Sequence, residues 1–106
     1  MKKTDVSPID RNVVKRIKED PEFAQLYFEE LSERPLSVQF SILRRLQGVT
    51  QEKAASKLHW KQAHISKLEK EGSDHLISNY ERLARLLHGR LAVIPKGARI
   101  VMSGAA

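Results

Sequence analysis

The sequence contains no cysteine among its 106 residues. This absence excludes a disulfide-stabilised scaffold, a cysteine-ligated zinc site and a thiol nucleophile. Long apolar runs are also missing, since the longest, Leu91–Ile94, is far shorter than the roughly 18 residues that cross a bilayer. No apolar stretch follows the basic start Met1–Lys3, which argues against a secretory signal. We therefore expect a cytoplasmic protein with no membrane partner.

Signals for enzymatic or metal chemistry are equally scarce. The four histidines, His59, His64, His75 and His88, do not follow a known ligand spacing. No nucleophile motif surrounds any serine. We expect a binding protein rather than an enzyme, without a metal or another cofactor. The length fits one domain, and 41% apolar residues are enough for a modest core.

The charged residues are distributed unevenly along the chain. In total, 19 lysines and arginines oppose 13 acids, which gives a formal net charge of +6. Residues 19–33 hold six acids and no base, whereas residues 44–70 hold seven bases against two acids. A basic region of this kind favours a polyanionic partner, although each segment also fits an ordinary solvated surface.

Apolar spacing, caps and chain breakers predict an all-α bundle of about five helices. Asp20 followed by Pro21 is typical of an N-cap with proline at the first helical position. Thr50 is a second N-cap, and His59 stands where that helix should end, being a residue type that tolerates positive φ. The predicted helices are residues 21–33, 36–47, 50–58, 61–71 and 79–88, with a short one at 11–18. Their predicted glycine stops are Gly48, Gly72 and Gly89.

The chain divides into three predicted segments. Residues 1–19 form a flexible or short-helical arm, residues 20–89 the helical domain, and residues 90–106 an extension with a tail. In the extension, short apolar runs at 90–94 and 98–102 predict a β-hairpin around Pro95. Because two strands alone are marginally stable, we expect them to pair across a dimer axis or to join a partner's sheet.

Two short helices, residues 50–58 and 61–71, meet at a tight connection and form a predicted helix-turn-helix. The second helix of that motif lies in the DNA major groove, and its outer face here carries groups that bond base edges. The predicted base-reading residues are Gln62, Ala63, Ser66 and Lys67. The predicted phosphate contacts are Thr50, Gln51, Lys57, Lys61 and Lys70. His64 is predicted to point to solvent as a further candidate DNA contact, and Trp60 fits a core position better than a base-stacking platform.

The motif residues resemble the XRE family of lambda-repressor/Cro-like helix-turn-helix proteins. They are Gly48-Val49-Thr50-Gln51-Glu52, Ala55, Leu58, Gln62 and Ile65-Ser66-Lys67-Leu68-Glu69. The flanks are similar to HigA-type antitoxins, which repress their own operon and neutralise a RelE/HigB-like ribonuclease toxin. Those flanks are Asp20-Pro21-Glu22-Phe23 with Tyr27, then Leu83-Ala84 and Leu87-His88-Gly89-Arg90-Leu91-Ala92-Val93. The resemblance covers about residues 20–94.

The resemblance implies a lambda-repressor-like bundle and a structural ion pair between Arg44 and Glu69. Three positions depart from the family pattern: Ala54 replaces a larger aliphatic residue, His59 the turn glycine, and Lys61 a serine or threonine cap. The first departure predicts looser packing against the second helix of the motif. The last exchanges a cap for a charge that reaches a phosphate.

The function that we expect is sequence-specific binding of double-stranded operator DNA by a homodimeric, nucleoid-associated repressor. The narrower expectation is the antitoxin of a type II toxin–antitoxin operon, with the acidic residues 19–33 as the docking surface for a basic toxin. One alternative is a stand-alone or phage-type regulator without a toxin, in which the acidic helix is simply solvated. Another is a protein-interaction module that keeps the helix-turn-helix fold for packing.

Overall fold

A computed structural model describes residues 7–72 and 74–96 and contains six α-helices in those ranges. The helices are α1 (Pro8–Glu19), α2 (Pro21–Leu31), α3 (Leu36–Leu46), α4 (Gln51–Leu58), α5 (Gln62–Leu68) and α6 (Ile77–Leu86). The predicted all-α class is confirmed. Within the described ranges, no helix is long and apolar enough to cross a membrane.

Side-chain caps fix where α2 and α4 begin. Asp20 Oδ1 accepts a hydrogen bond of 3.0 Å from Phe23 N, and Pro21 occupies the first helical position. Thr50 Oγ1 accepts one of 3.0 Å from Lys53 N. Each cap satisfies a main-chain N–H that has no partner within its own helix. The predictions for Asp20 and Thr50 are confirmed.

A residue with left-handed backbone ends each of three helices. Gly48 has a φ of 71°, His59 of 59° and His88 of 63°. In each case the N–H of the next residue donates to a carbonyl five residues earlier. Trp60 N donates to the Ala55 carbonyl of α4 at 2.9 Å, and Gly89 N donates to the Ala84 carbonyl of α6 at 2.7 Å. The prediction for His59 is confirmed. The prediction that Gly89 ends the last helix is wrong, because His88 takes the left-handed conformation.

Two predicted helix boundaries also differ from the structure. The helix α5 ends at Leu68, not near Gly72, because the chain turns at Glu69, whose carboxylate binds Arg44. The helix α6 begins at Ile77, two residues before the predicted start, without a side-chain cap.

The core lies between α3, α4, α5 and α6. Ala54 and Ala55 are buried, which lets α4 approach its two neighbours α5 and α6 closely. The rings of Phe40 and Tyr80 stack with centroids 5.6 Å apart. The core cluster comprises Phe40, Ala54, Ala55, Leu58, Ile65, Leu68, Tyr80, Leu83, Ala84 and Leu87. Ile65, Leu68, Leu83 and Leu87 are its large, fully buried side chains.

The helix α1 packs against α2 and α3. Arg45 Nη2 donates to both carboxylate oxygens of Asp10 at 3.2 Å, which ties α1 to α3. On α2, the buried residue is Ala24, whereas Leu26 is 56% exposed. The helical spacing of Phe23, Leu26 and Tyr27 predicts one apolar face on α2, and this prediction is wrong at Leu26, which the packing of α1 on α2 leaves exposed.

The structure does not support the predicted C-terminal hairpin. Residues 90–94 have no regular secondary structure, although they were expected to form the first strand. The second predicted strand, 98–102, lies outside the described residues. A strand needs a second strand as the partner for its main-chain hydrogen bonds, and the described ranges contain no strand that could pair with residues 90–94. Leu91 instead packs against the helical core.

Candidate nucleic-acid interface

The helices α4 and α5 pack on each other across the connection of residues 59–61. Fully buried Ile65 and Leu68 hold α5 against the core. The opposite face of α5 is open to solvent, and α5 contains no acidic residue. The four predicted base-reading side chains, Gln62, Ala63, Ser66 and Lys67, are all exposed there.

A chain of hydrogen bonds connects the interior to this face. Arg44 and Glu69 form a bidentate ion pair, with Nε to Oε2 at 2.6 Å and Nη2 to Oε1 at 2.9 Å. Gln51 Nε2 donates to the same Glu69 Oε1 at 3.0 Å. Gln62 Nε2 in turn donates to Gln51 Oε1 at 3.4 Å. An exposed amide on α5 is thus oriented by a buried ion pair.

This network leaves the Gln62 amide suited to reading a base. A glutamine amide has two N–H groups and one carbonyl, and the contact to Gln51 uses a single N–H. The carbonyl and the second N–H can bond adenine N6 and N7 in a bidentate manner. Gln51, predicted as a phosphate contact, uses its side chain to orient Gln62. The second N–H of its amide and its main-chain N–H at the start of α4 are the donors that could meet a phosphate.

The other predicted phosphate contacts surround the pair of helices. Three of them are exposed lysines. Lys57 lies in the last turn of α4, Lys61 just before α5, and Lys70 just after α5. Lys61 is the N-cap residue of α5 and makes no side-chain capping bond. Thr50 Oγ1 accepts the capping bond of α4, which leaves its hydroxyl hydrogen as a donor.

His64 does not point to solvent as predicted. Its Nε2 is buried without a hydrogen-bond partner among the described residues, and the same holds for His75 Nε2. The His64 ring lies 4.4 Å from the Trp60 ring and 6.2 Å from the His75 ring, between centroids. The helical spacing that predicted exposure could not show that Trp60 and His75 would cover this position.

Trp60 packs against the core cluster, which agrees with its interpretation as a core residue. Arg82 of α6 lies over its ring, with the guanidinium carbon 5.0 Å from the ring centroid. The same guanidinium donates from Nη2 to the Leu58 carbonyl at 3.0 Å. Arg82 therefore fixes the connection between α4 and α5. Sequence reasoning missed this role because a basic residue 22 positions after Trp60 gives no local signal.

The acidic residues of α2 and the segment that follows it form a second charged surface. Glu22, Glu30 and Glu33 are exposed, while Glu29 accepts a hydrogen bond from Gln25 Nε2 at 3.2 Å. Arg34 Nη2 lies 3.7 Å from a Glu30 oxygen and offsets part of this charge. As for metals, the described part of the chain holds no group of three or more histidine, cysteine or acidic side chains that could bind one.

No family model, curated protein or solved structure matches the chain. The resemblance to helix-turn-helix repressors therefore depends on the motif residues alone.

Proposed function

We propose that this protein is a sequence-specific, double-stranded-DNA-binding repressor in which α5 reads the major groove. The observation that carries the proposal is the fixed amide of Gln62, exposed on α5 and oriented through Gln51 by buried Glu69. A side chain held in this way loses little conformational freedom on binding a base, which favours affinity.

The charges around α4 and α5 support a nucleic-acid partner. Lys57, Lys61 and Lys70 are exposed around α4 and α5, where they outnumber the exposed carboxylates of Glu52 and Glu71. Arg44 neutralises the buried carboxylate of Glu69. Lysines at such positions bind phosphates and set the register of a protein on DNA, while base contacts supply the specificity.

We further propose that the protein acts as a homodimer. A seven-residue helix contacts only a few base pairs, so one copy would read too short a site to be selective. Two copies place two such helices in successive major grooves, about 34 Å apart. Repression then follows when the dimer covers a promoter.

The test is selection of binding sites from a random duplex pool, with affinities measured from low to physiological salt. We expect a palindromic consensus whose half-sites lie about 10 base pairs apart. Weak, unselective and salt-sensitive binding would contradict the repressor proposal. It would favour instead a protein-interaction module.

Two kinds of variant separate base reading from phosphate binding. Gln62→Ala and Lys67→Ala should each lower the preference for the selected duplex over a scrambled one by about 1–3 kcal/mol, with little change in non-specific binding. Lys57→Ala should weaken binding to both duplexes and reduce the salt slope by about one unit. If the preference survives both of the first two substitutions, α5 is not the reading helix.

The narrower proposal is that the repressor is an antitoxin whose acidic α2 surface docks a basic, RNA-cleaving toxin of the RelE/HigB kind. The exposed carboxylates of Glu22, Glu30 and Glu33 support it, because an RNA-binding partner would present complementary charge. The test is expression of the reading frames adjacent to this gene, alone and together with this chain. The antitoxin proposal is supported if one adjacent reading frame arrests growth, this chain relieves the arrest, and a Glu30→Lys/Glu33→Lys variant fails to relieve it. No arrest would favour a stand-alone regulator.

A further inference from the structure

A depression of about 280 Å³ lies on the α5 face and borders two of the proposed base-reading residues. Its mostly apolar walls come from Trp60, Ala63 and His64, and Lys61 and Lys67 complete the lining. Neither Gln62 nor Gln51, whose side chains form the hydrogen-bonding network described above, lines this depression.

The walls of the depression are held in place from behind. The Trp60 ring packs on the core, and its centroid lies 4.4 Å from the centroid of the His64 ring. The guanidinium carbon of Arg82 lies over the Trp60 ring, 5.0 Å from its centroid. Buried Ile65, next to His64, fixes the helix that carries Ala63. The depression is therefore a preformed feature that needs no rearrangement before a ligand enters.

The occupant follows from the chemistry of the surface that faces α5. Base edges in the major groove present donors, acceptors and one apolar group, the C5-methyl of thymine. A methyl gains free energy from an apolar wall, whereas a donor or acceptor placed there would lose its hydrogen bonds to water. Lys61 in the lining, a proposed phosphate contact, matches the charge of the flanking phosphate.

We propose that this depression receives the C5-methyl and the adjoining C5–C6 edge of a thymine in the operator. Trp60 and Ala63 are then specificity-determining residues that select thymine at one position of each half-site. The volume exceeds that of a methyl, so the edge of the ring enters with it. This inference rests on the proposed function, since it requires α5 to lie in the major groove.

The experiment replaces thymines by uracil, which differs from thymine only in lacking the methyl. The probe is the duplex selected from the random pool, with one thymine at a time replaced by deoxyuridine. We expect about a fourfold loss of affinity at a single thymine of each half-site, the fold-change that corresponds to about 0.8 kcal/mol for one buried carbon. Other thymines should be insensitive.

A variant of Ala63 ties the loss to the depression. Ala63 is exposed and is not part of the core cluster, so Ala63→Gln fills the depression without disturbing the fold. In this variant the ratio of uracil to thymine dissociation constants should fall from about four to about one. Ser56→Ala, an exposed position on α4 outside the lining and outside the proposed DNA contacts, should keep the ratio of the unchanged protein.

The outcomes separate this inference from the proposed function. A selected consensus with no methyl-sensitive thymine overturns the inference and leaves sequence-specific binding intact. A sensitive thymine whose ratio is unchanged in Ala63→Gln also overturns it, because the methyl then contacts another part of the protein. A pool that yields no preferred sequence overturns both.

Discussion

At the scale of single residues, the buried ion pair between Arg44 and Glu69 connects stability to the candidate site. The two side chains are only 10% and 4% exposed. Arg44 also donates from Nη1 to the Val49 carbonyl at 2.6 Å, at the entry to α4. One guanidinium thereby holds the end of α3, the loop before α4 and the carboxylate that orients Gln51.

Removing one partner of this pair should be costly. Arg44→Ala leaves the Glu69 carboxylate buried without its countercharge, so we expect a loss of about 3–5 kcal/mol in the free energy of unfolding. Urea denaturation measures it. The control is Arg34→Ala, which breaks an exposed pair with Glu30 and should cost less than about 0.5 kcal/mol. Similar losses for both variants would contradict the prediction.

Tyr80 makes the free energy of unfolding depend on pH. Burial raises the pKa of its phenol above the ordinary value, and the negative charge of Asp74 raises it further. The unfolded chain therefore releases this proton at a lower pH than the folded protein does. The stability that the neutral phenol contributes is complete below about pH 10 and is lost as the pH rises through the folded pKa.

Tyr80→Phe should flatten that alkaline loss. The variant lacks the ionisable hydroxyl, so we expect its free energy of unfolding to fall less steeply above about pH 10 than that of the unchanged protein. Urea titrations at a series of pH values measure both slopes. Parallel slopes would show that Tyr80 does not titrate differently in the two states.

At the scale of elements, helix ends decide how α4 and α5 meet. His59 takes the left-handed conformation that redirects the chain, and the bond from Trp60 N to the Ala55 carbonyl at 2.9 Å closes the end of α4. His88 takes the same left-handed conformation after α6, where Gly89 N donates to the Ala84 carbonyl at 2.7 Å. Glycine would adopt both conformations without a steric penalty.

His59→Gly should therefore raise stability. The left-handed conformation costs a non-glycine residue about 1–2 kcal/mol, and the greater freedom of glycine in the unfolded chain offsets part of the gain. We expect a net gain of up to about 1 kcal/mol in thermal or urea unfolding. His59→Val, with a branched β-carbon in the same conformation, should destabilise instead. A gain from valine would contradict this account of the turn.

Across the molecule as a whole, the exposed acids of α2 and the segment just after it lie on a different element from the lysines around α4 and α5. These acids include Glu22, Glu30 and Glu33. The proposed function requires such a separation, because DNA and a basic protein would contact surfaces of opposite charge.

The proposed dimer makes a geometric prediction about its operator. Inserting about five base pairs between the half-sites turns one of them through half a helical turn, so the two copies of α5 can no longer reach both. Affinity should fall to that of a single half-site in a gel-shift titration. The same insertion outside the palindrome is the control. Equal affinities for both duplexes would contradict the proposed dimeric reading.

Much of the helical layout follows from local chemistry and was therefore predictable. Asp20, Thr50 and His59 mark helix ends through their own side chains or backbone preferences, and the structure agrees at all three. The predictions that failed at Leu26 and at residues 90–94 depend on packing partners, which the local pattern does not show. Leu26 follows the apolar period of α2 but stays exposed, because α1 covers a different side. Residues 90–94 have strand composition, but residues 7–72 and 74–96 contain no strand with which they could pair.

The candidate site divides in the same way. The apolar period of α5 alone predicts that Gln62, Ala63, Ser66 and Lys67 lie on its outer face, because Ile65 and Leu68 occupy the face that is buried. The shape of that outer face depends on contacts made by the folded chain. Arg82 and His75 come from beyond the motif and place Trp60 and His64, and Arg44 reaches Gln62 through two intermediates. The family resemblance implied the Arg44–Glu69 pair. The other contacts join residues 11 to 22 positions apart, a separation at which sequence spacing carries no information about proximity.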